Sequence, residues 1–159
     1  FAIGDIRGGM MLAHVATFEG ERALNTIVAE MAGENVECPI NDGIDLNIVP
    51  AAVFTSPEAA VVGKTEDVCK ADGIPARCLK SFFSMDEPDG YCKIVVAGEG
   101  GQFKPGQILG CHMFGAHSAD IVQEIAALMN RQATVEELRT IIHAHPTLSE
   151  VLLTAARQA

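Results

Sequence analysis

The stretch ARCLKSFFSMDEPDGYCKIVVAGEGGQFKPGQILGCHMF, residues 76–114, decides the fold. It contains three runs of mainly apolar or alternating residues, at 76–83, 91–98 and 108–114. Runs of this length and pattern are typical of β-strands. The intervening residues, 86–90 and 99–106, are rich in Gly, Pro and Asp and predict hairpin loops. Sequential strands with short connections predict an antiparallel sheet.

Two further strand signals precede this stretch, at residues 51–55 and 59–62, with a turn at Ser56-Pro57 between them. Residues 65–71 suit a short helix, with Thr65 as its N-cap and Gly73 as its terminator. The unit that contains the sheet is therefore expected to begin near Ile48.

Helical patterns follow the last strand. Ser118 is predicted to cap a helix with one apolar face, formed by Ile121, Val122, Ile125 and Met129. Residues 134–137 match a capping box that opens a second helix, with Val135, Leu138, Ile141 and Ile142 facing inward. A third helix is predicted from about Leu148 to the end. Strands followed by helices indicate an α+β fold, with an antiparallel sheet of about five strands and helices packed on it.

The N-terminal third has a different pattern. Residues 1–6 are predicted to form a short buried strand, and residues 10–31 a helix that ends at Gly33. The apolar face of this helix is expected to hold Leu24, Ile27, Val28 and Met31. Residues 34–47 are polar and include Pro39 and an Asn-Asp-Gly turn, which indicates a crossover linker between two units.

Composition and charge exclude several functions. The 159 residues are 48% apolar and carry a formal net charge of −10, which is typical of a soluble globular protein and argues against a nucleic-acid partner. No apolar run approaches the roughly 18 residues of a membrane span.

The five cysteines form no C-x-x-C pair and are predicted to be free thiols in a reducing compartment, the cytoplasm or, in a eukaryote, the mitochondrial matrix. Since the chain begins at Phe1, it is expected to be a piece of a longer protein.

The residues best suited to chemistry lie in HAHPTLSE, residues 143–150. One interpretation of Glu150 is structural, because Thr147-x-x-Glu150 matches a capping box in which the carboxylate binds the Thr147 N–H. Another is catalytic, because a turn could bring Glu150 to one nitrogen of His145 and leave the other nitrogen free to take a proton. A metal site that includes His143 is a third interpretation.

HAHPTLSE resembles the C-terminal signature of the pyridine nucleotide-disulfide oxidoreductases, a family of flavoenzymes. The His-Ala before His145 and the Leu at position 148 suit the dihydrolipoamide dehydrogenase branch, whereas glutathione reductases tend to have Ser there. Other segments resemble the family in the same order: residues 2–5 and 11–14 its second flavin-contacting motif, residues 50–58 and 62–66 the start of its interface domain, and residues 108–110 its last sheet strand.

The resemblance implies a domain organisation and a partner. Residues 1–33 would be the C-terminal tail of an FAD-binding domain, residues 34–47 the crossover linker, and residues 48–159 the interface domain. The chain would form a homodimer through residues 48–159. In the family, the histidine of one subunit reaches the disulfide and flavin of the other.

The resemblance also implies residue roles. His145 would be the acid–base catalyst and Glu150 the residue that orients it, with a cis bond between His145 and Pro146. The Asp5 carboxylate would hydrogen-bond the ribityl chain of FAD. The backbone of Met11, Leu12 and Ala13 would lie beside the flavin ring, and no residue is assigned to a metal.

The implied activity is oxidation of dihydrolipoamide, free or on a lipoyl-bearing protein, with FAD and NAD as cofactors. The family's G-x-G-x-x-G motif and redox C-x-x-x-x-C pair are absent from these 159 residues, so the chain alone is expected to be inactive and to retain neither cofactor. Two alternatives stay open. One is a glutathione-reductase-like enzyme of the same family, and the other is a stand-alone, non-enzymatic dimerisation module.

Overall fold

The computed structural model describes residues 1–83 and 90–159, which form two compact units, Phe1–Val49 and Pro50–Ala159. Most of the hairpin loop predicted at residues 86–90 therefore lies outside the described residues. Within the described ranges, no helix is long and apolar enough to cross a membrane.

The second unit contains the predicted antiparallel sheet of five strands: β1 (Ala51–Val53), β2 (Ala59–Gly63), β3 (Ala76–Phe82), β4 (Tyr91–Ala97) and β5 (Ile108–Phe114). Their order across the sheet is β1-β2-β5-β4-β3, and all neighbours are antiparallel. Strand β5 thus lies between β2 and β4. The helices that follow confirm the α+β fold class.

One face of the sheet carries much of the core, and a second buried cluster, which includes Cys69 and Val95, lies on the other face. In register across the sheet lie Val62 on β2, Cys111 on β5, Ile94 on β4 and Leu79 on β3, each 3% exposed or less. Two helices cover this face: α3 (Ser118–Asn130) packs on β2 and β5, and α5 (Glu150–Ala156) packs on β3 and β4. On the opposite face, the short α2 (Glu66–Ala71) packs against β3.

Strands β2 and β5 approach closely at a pair of glycines. Gly63 and Gly110 face each other in the register, and Gly63 has a φ of +74°. A Cβ on Gly63 would lie 2.3 Å from the Leu109 carbonyl oxygen, and a Cβ on Gly110 would lie 2.3 Å from the Lys64 carbonyl oxygen. Any side chain at either position would therefore separate the strands at this end.

Two of the predicted helix starts are confirmed. The Thr65 hydroxyl accepts a hydrogen bond from the Val68 N–H at 3.1 Å and caps α2. The helix α4 (Val135–Arg139) opens with the full capping box, in which the Thr134 N–H donates to the Glu137 carboxylate at 2.7 Å.

Two other expectations about the helices were wrong. The N-cap of α3 is His117, with a φ of +58°, and Ser118 is the first helical residue. The Ser118 hydroxyl donates to the Gly115 carbonyl at 2.8 Å, so it stabilises the preceding turn instead of the helix. Since α4 ends at Arg139, Ile141 and Ile142 both lie beyond the helix, where they are 36% and 96% exposed.

The predicted strand at residues 1–6 is wrong as well. Residues Gly4–Arg7 form a 3-10 turn. The first unit has no described strand with which residues 1–6 could pair. Glu19 holds this turn, because its carboxylate accepts the Gly4 N–H at 2.6 Å and pairs with the Arg7 guanidinium. A lone extended segment would leave its backbone groups unpaired, whereas in the turn the Glu19 carboxylate pairs the Gly4 N–H and also holds the Arg7 side chain.

The long helix of the first unit, α1 (Ala13–Met31), begins three residues later than predicted and ends, as expected, before Gly33, whose φ is +78°. Its predicted apolar face is exposed, with Leu24 at 59%, Val28 at 58% and Met31 at 84%. The first unit offers one long helix and no sheet to cover these side chains. Residues 34–47, predicted to be a linker, belong to the first unit and are tied to α1, because the Arg22 guanidinium hydrogen-bonds the Asp42 carboxylate and lowers its pKa to about 2.

We expect neighbouring valines on β2 to differ sharply in their contribution to stability. Val62 is 1% exposed on the core face, whereas Val61 is 40% exposed on the other face. Val62→Ala should lower the free energy of unfolding by about 2–3 kcal/mol, because it leaves a cavity. Val61→Ala, the matched control, should cost under about 1 kcal/mol. Urea unfolding of both variants measures the difference, and equal costs would contradict the assignment of the core face.

Candidate active site

The segment between α4 and α5 contains HAHPT, residues 143–147. The helix that follows it, α5, is anchored in the core. In α5, Val151 is 4% exposed and Leu152 is fully buried. The Ser81 hydroxyl on β3 donates to the Val151 carbonyl at 2.7 Å, so sheet and helix are also joined by a buried hydrogen bond. Glu150, the first residue of α5, is therefore placed by the packing of the helix.

His145 and Glu150 form a close pair. Nδ1 of His145 lies 3.0 Å from Oε1 and 3.1 Å from Oε2 of Glu150. Since a carboxylate only accepts hydrogen bonds, Nδ1 carries the hydrogen and a neutral ring has its lone pair on Nε2. The His145 side chain is 81% exposed, and Nε2 makes no hydrogen bond to the residues described. This nitrogen is available to take a proton.

Glu150 also binds the backbone ahead of α5. The Thr147 N–H donates to Oε2 of Glu150 at 3.0 Å, as the capping interpretation predicts. The Thr147 hydroxyl, however, donates to the Ala144 carbonyl at 2.7 Å, so only half of the capping box is present. The pKa of Glu150 is lowered most by the hydrogen bond from the Thr147 N–H and, to a smaller extent, by the hydrogen bond from the His145 ring. The bond between His145 and Pro146 is cis, as the resemblance implied.

His143 has a different environment from His145. Its side chain is 3% exposed, with Nε2 3.1 Å from Oε1 of Glu124 on α3 and Nδ1 3.1 Å from the Ile141 carbonyl oxygen. The described residues contain no group of three or more His, Cys, Asp or Glu that could hold a metal ion, so the metal interpretation gains no support. No motif pointed to the partner Glu124, which lies nineteen residues upstream.

The residues assigned to flavin contacts all lie in the first unit. Asp5 is exposed on the 3-10 turn, Met11 is 65% exposed, and Leu12 and Ala13 form the start of α1. Leu12, the N-cap residue of α1, provides no side-chain cap. An exposed carboxylate and an uncapped helix N-terminus fit a ligand that has hydroxyl groups and gains negative charge.

The cysteines do not form a redox centre in the structure. All five are free thiols, as predicted. Cys92 and Cys111 are fully buried on adjacent strands with their Sγ atoms 3.8 Å apart, and the hydrogen bond between them and burial raise the pKa of Cys111. The pKa of Cys78 is raised to about 11, mainly by burial and to a smaller extent by the hydrogen bond with Glu66. Thiols with raised pKa values are poor nucleophiles at neutral pH.

We expect the Glu150 carboxyl group to titrate below the ordinary glutamate value of 4.5, because both of its contacts favour the charged form. The stabilisation from this group is then present above the unfolded-state pKa and is lost as the pH falls through the lower folded-state pKa. His145→Ala should raise the pKa only partly, since the Thr147 N–H remains. A carboxyl-carbon NMR titration of both proteins measures this. An ordinary pKa in the unaltered protein would show that the pair does not form in solution.

Known proteins resemble the whole chain. Dihydrolipoyl dehydrogenases of Bacillus subtilis and Synechocystis sp. are 39% and 35% identical to it across its full length. A mitochondrial dihydrolipoyl dehydrogenase of Mesocricetus auratus is 37% identical across 94% of the chain. The chain covers 32%, 33% and 30% of these three proteins, so it spans about a third of their length.

Solved structures share the fold. LpdA from Mycobacterium tuberculosis superposes with a TM-score of 0.78 and 28% identity, over 99% of this chain and 33% of that one. The HOCl-induced flavoprotein disulfide reductase RclA from Escherichia coli has a TM-score of 0.77 at 21% identity, and shows the fold alone.

The second unit of the structure corresponds closely to a known domain. Residues 49–156 match the dimerisation domain of the pyridine nucleotide-disulphide oxidoreductases. This match confirms the family expected from HAHPTLSE and from the segments that precede it. The chain belongs to the pyridine nucleotide-disulphide oxidoreductase family and carries its dimerisation domain.

Proposed function

We propose that this chain is the C-terminal part of a dihydrolipoamide dehydrogenase, to which it contributes the acid–base residue His145. The observation that carries the proposal is the contact of His145 Nδ1 with Glu150, which leaves Nε2 exposed and able to accept a proton. The names of the relatives that match the whole chain support the choice of substrate.

The chemical step of His145 follows from its tautomer. Nε2 takes the proton of a dihydrolipoamide thiol, and the resulting thiolate attacks one sulfur of a disulfide, whose other sulfur leaves as a thiolate. The protonated ring has a hydrogen on both nitrogens. Glu150 stabilises this cation, because the Nδ1–H already faces its carboxylate. The raised pKa values of Cys78 and Cys111 support a disulfide that lies outside these 159 residues.

Residues of the first unit suit a flavin. Asp5 would accept hydrogen bonds from the ribityl hydroxyls, and the first N–H groups of α1, after Met11 and Leu12, would face the ring, where they favour negative charge. When bound, FAD would supply the two-electron acceptor that NAD⁺ reoxidises. The exposed apolar face of α1 supports the view that residues 1–33 belong to a larger FAD-binding domain, since such a face needs a cover.

We further propose that residues 48–159 form the homodimer contact. The description of the matched family supports this, and so does the 81% exposure of the His145 side chain, since a general base works in a site that excludes water. A second subunit would supply the remaining walls of the site. The chain alone should therefore show no turnover and retain neither FAD nor NAD.

His145→Gln in the full-length enzyme should lower kcat for dihydrolipoamide oxidation by about 10²-fold or more, because glutamine cannot act as a general base. The control is His117→Gln, since the His117 side chain is 70% exposed and lies outside the HAHPT segment. Steady-state kinetics at matched flavin content measures both variants. Near-normal turnover of the His145 variant would refute the proposed role.

Glu150→Ala should separate orientation of His145 from helix capping. Glu137 is a matched control, because it binds the Thr134 N–H at 2.7 Å in the same way but has no histidine partner. Both alanine variants should lower Tm by a similar few degrees, whereas only Glu150→Ala should lower kcat substantially. Calorimetry and kinetics on the two full-length variants supply the comparison. If Glu150→Ala changes Tm alone, Glu150 is only a cap.

A further inference from the structure

The proposed reaction assigns no role to His143, although this residue is among the most enclosed in the segment. Its side chain is 3% exposed, whereas that of His145, two residues away, is 81% exposed. Burying an imidazole removes it from water and is favourable only if its nitrogens find partners. Both His143 nitrogens do, so the side chain is held in one orientation.

The two hydrogen bonds of His143 join separate parts of the fold. The Ile141 carbonyl can only accept, so Nδ1–H donates to it at 3.1 Å. Nε2 lies 3.1 Å from Oε1 of Glu124, and a proton on either partner makes this contact a hydrogen bond. The first bond closes a local turn, and the second ties that turn to α3.

Glu124 is a rigid anchor because of the helix that carries it. Its neighbours Val122 and Ile125 are fully buried, and α3 packs on β2 and β5. A residue that lies between two such buried positions of the helix moves little relative to the sheet. The hydrogen bond from His143 therefore fastens the start of the HAHPT segment to the core, as Glu150 fastens its end.

We propose that His143 and Glu124 are a positioning pair, which holds residues 141–147 so that Nε2 of His145 keeps its place against the substrate thiol. The proposal rests on the proposed role of His145. Only Ala144 separates the two histidines, and its carbonyl accepts the Thr147 hydroxyl at 2.7 Å. A shift at His143 is thus passed directly to the turn that carries His145.

The test is a double-mutant cycle in the full-length flavoprotein, with His143→Ala, Glu124→Ala and the double variant. Each single change should lower kcat for dihydrolipoamide by about 10- to 100-fold with little change in KM, since misplacing a reacting group by about 1 Å costs this much. The double variant should be no slower than the slower single one, because the residues act as a unit. Glu124→Gln should restore most of kcat, because the glutamine amide can donate to a neutral Nε2 or accept from a protonated one.

Controls separate positioning from stability. Glu136→Ala breaks the surface pair with Arg139, at 2.7 Å, and should leave kcat unchanged. His143→Asn, too short to reach Glu124, is the milder variant if alanine prevents folding, and it should show the same loss of kcat at wild-type flavin content.

Two results would overturn the positioning role: kcat within twofold of wild type in the folded variants, or single losses that multiply in the double variant. If His145→Gln abolishes turnover while the His143 and Glu124 variants keep it, only the positioning role fails. If His145→Gln keeps turnover, the proposed function fails first.

Discussion

The packing of α5 on β3 and β4 is the constraint on which the candidate site depends. Leu152 and Ala155 are fully buried against the sheet, and the Ser81 hydroxyl donates to the Val151 carbonyl across this contact. Burial of apolar side chains supplies the free energy, and the buried hydrogen bond fixes the register of the helix. Glu150 begins this helix, so the core sets the position of a carboxylate that lies at the surface. The exposed ring of His145 takes its orientation from that carboxylate.

The two interpretations of Glu150 turned out to be compatible. A carboxylate has two oxygens and can accept several hydrogen bonds at once. Oε2 accepts the Thr147 N–H, while both oxygens lie within hydrogen-bond distance of His145 Nδ1. The same group thus stabilises the start of a helix and selects the tautomer of a neighbouring ring. A capping pattern in a sequence is therefore no evidence against a catalytic role for its glutamate.

The sequence predicted features within one segment well, but it predicted contacts between segments far apart in the chain poorly. The last three strands were placed to within one residue, because apolar or alternating runs bounded by loops rich in Gly, Pro and Asp are a local signal. The strand order was beyond such a signal, since it depends on β2 pairing with β5 across the intervening hairpin. Residues 1–6 were misassigned because an apolar run without a partner strand cannot stay extended. In the site, the HAHPT segment and Glu150 could be found from spacing, whereas the contact of His143 with Glu124 joins elements that no spacing links.

The order β1-β2-β5-β4-β3 has a consequence for biosynthesis. On the ribosome, β3 and β4 can pair soon after they emerge, but β2 keeps one unpaired edge until β5 has been made. The core face of β3 and β4 then stays open until α5, which follows all five strands in the chain, covers it. Glu150 reaches His145 only when this helix has docked. A nascent or truncated chain that lacks α5 therefore cannot carry the acid–base pair, however complete its sheet.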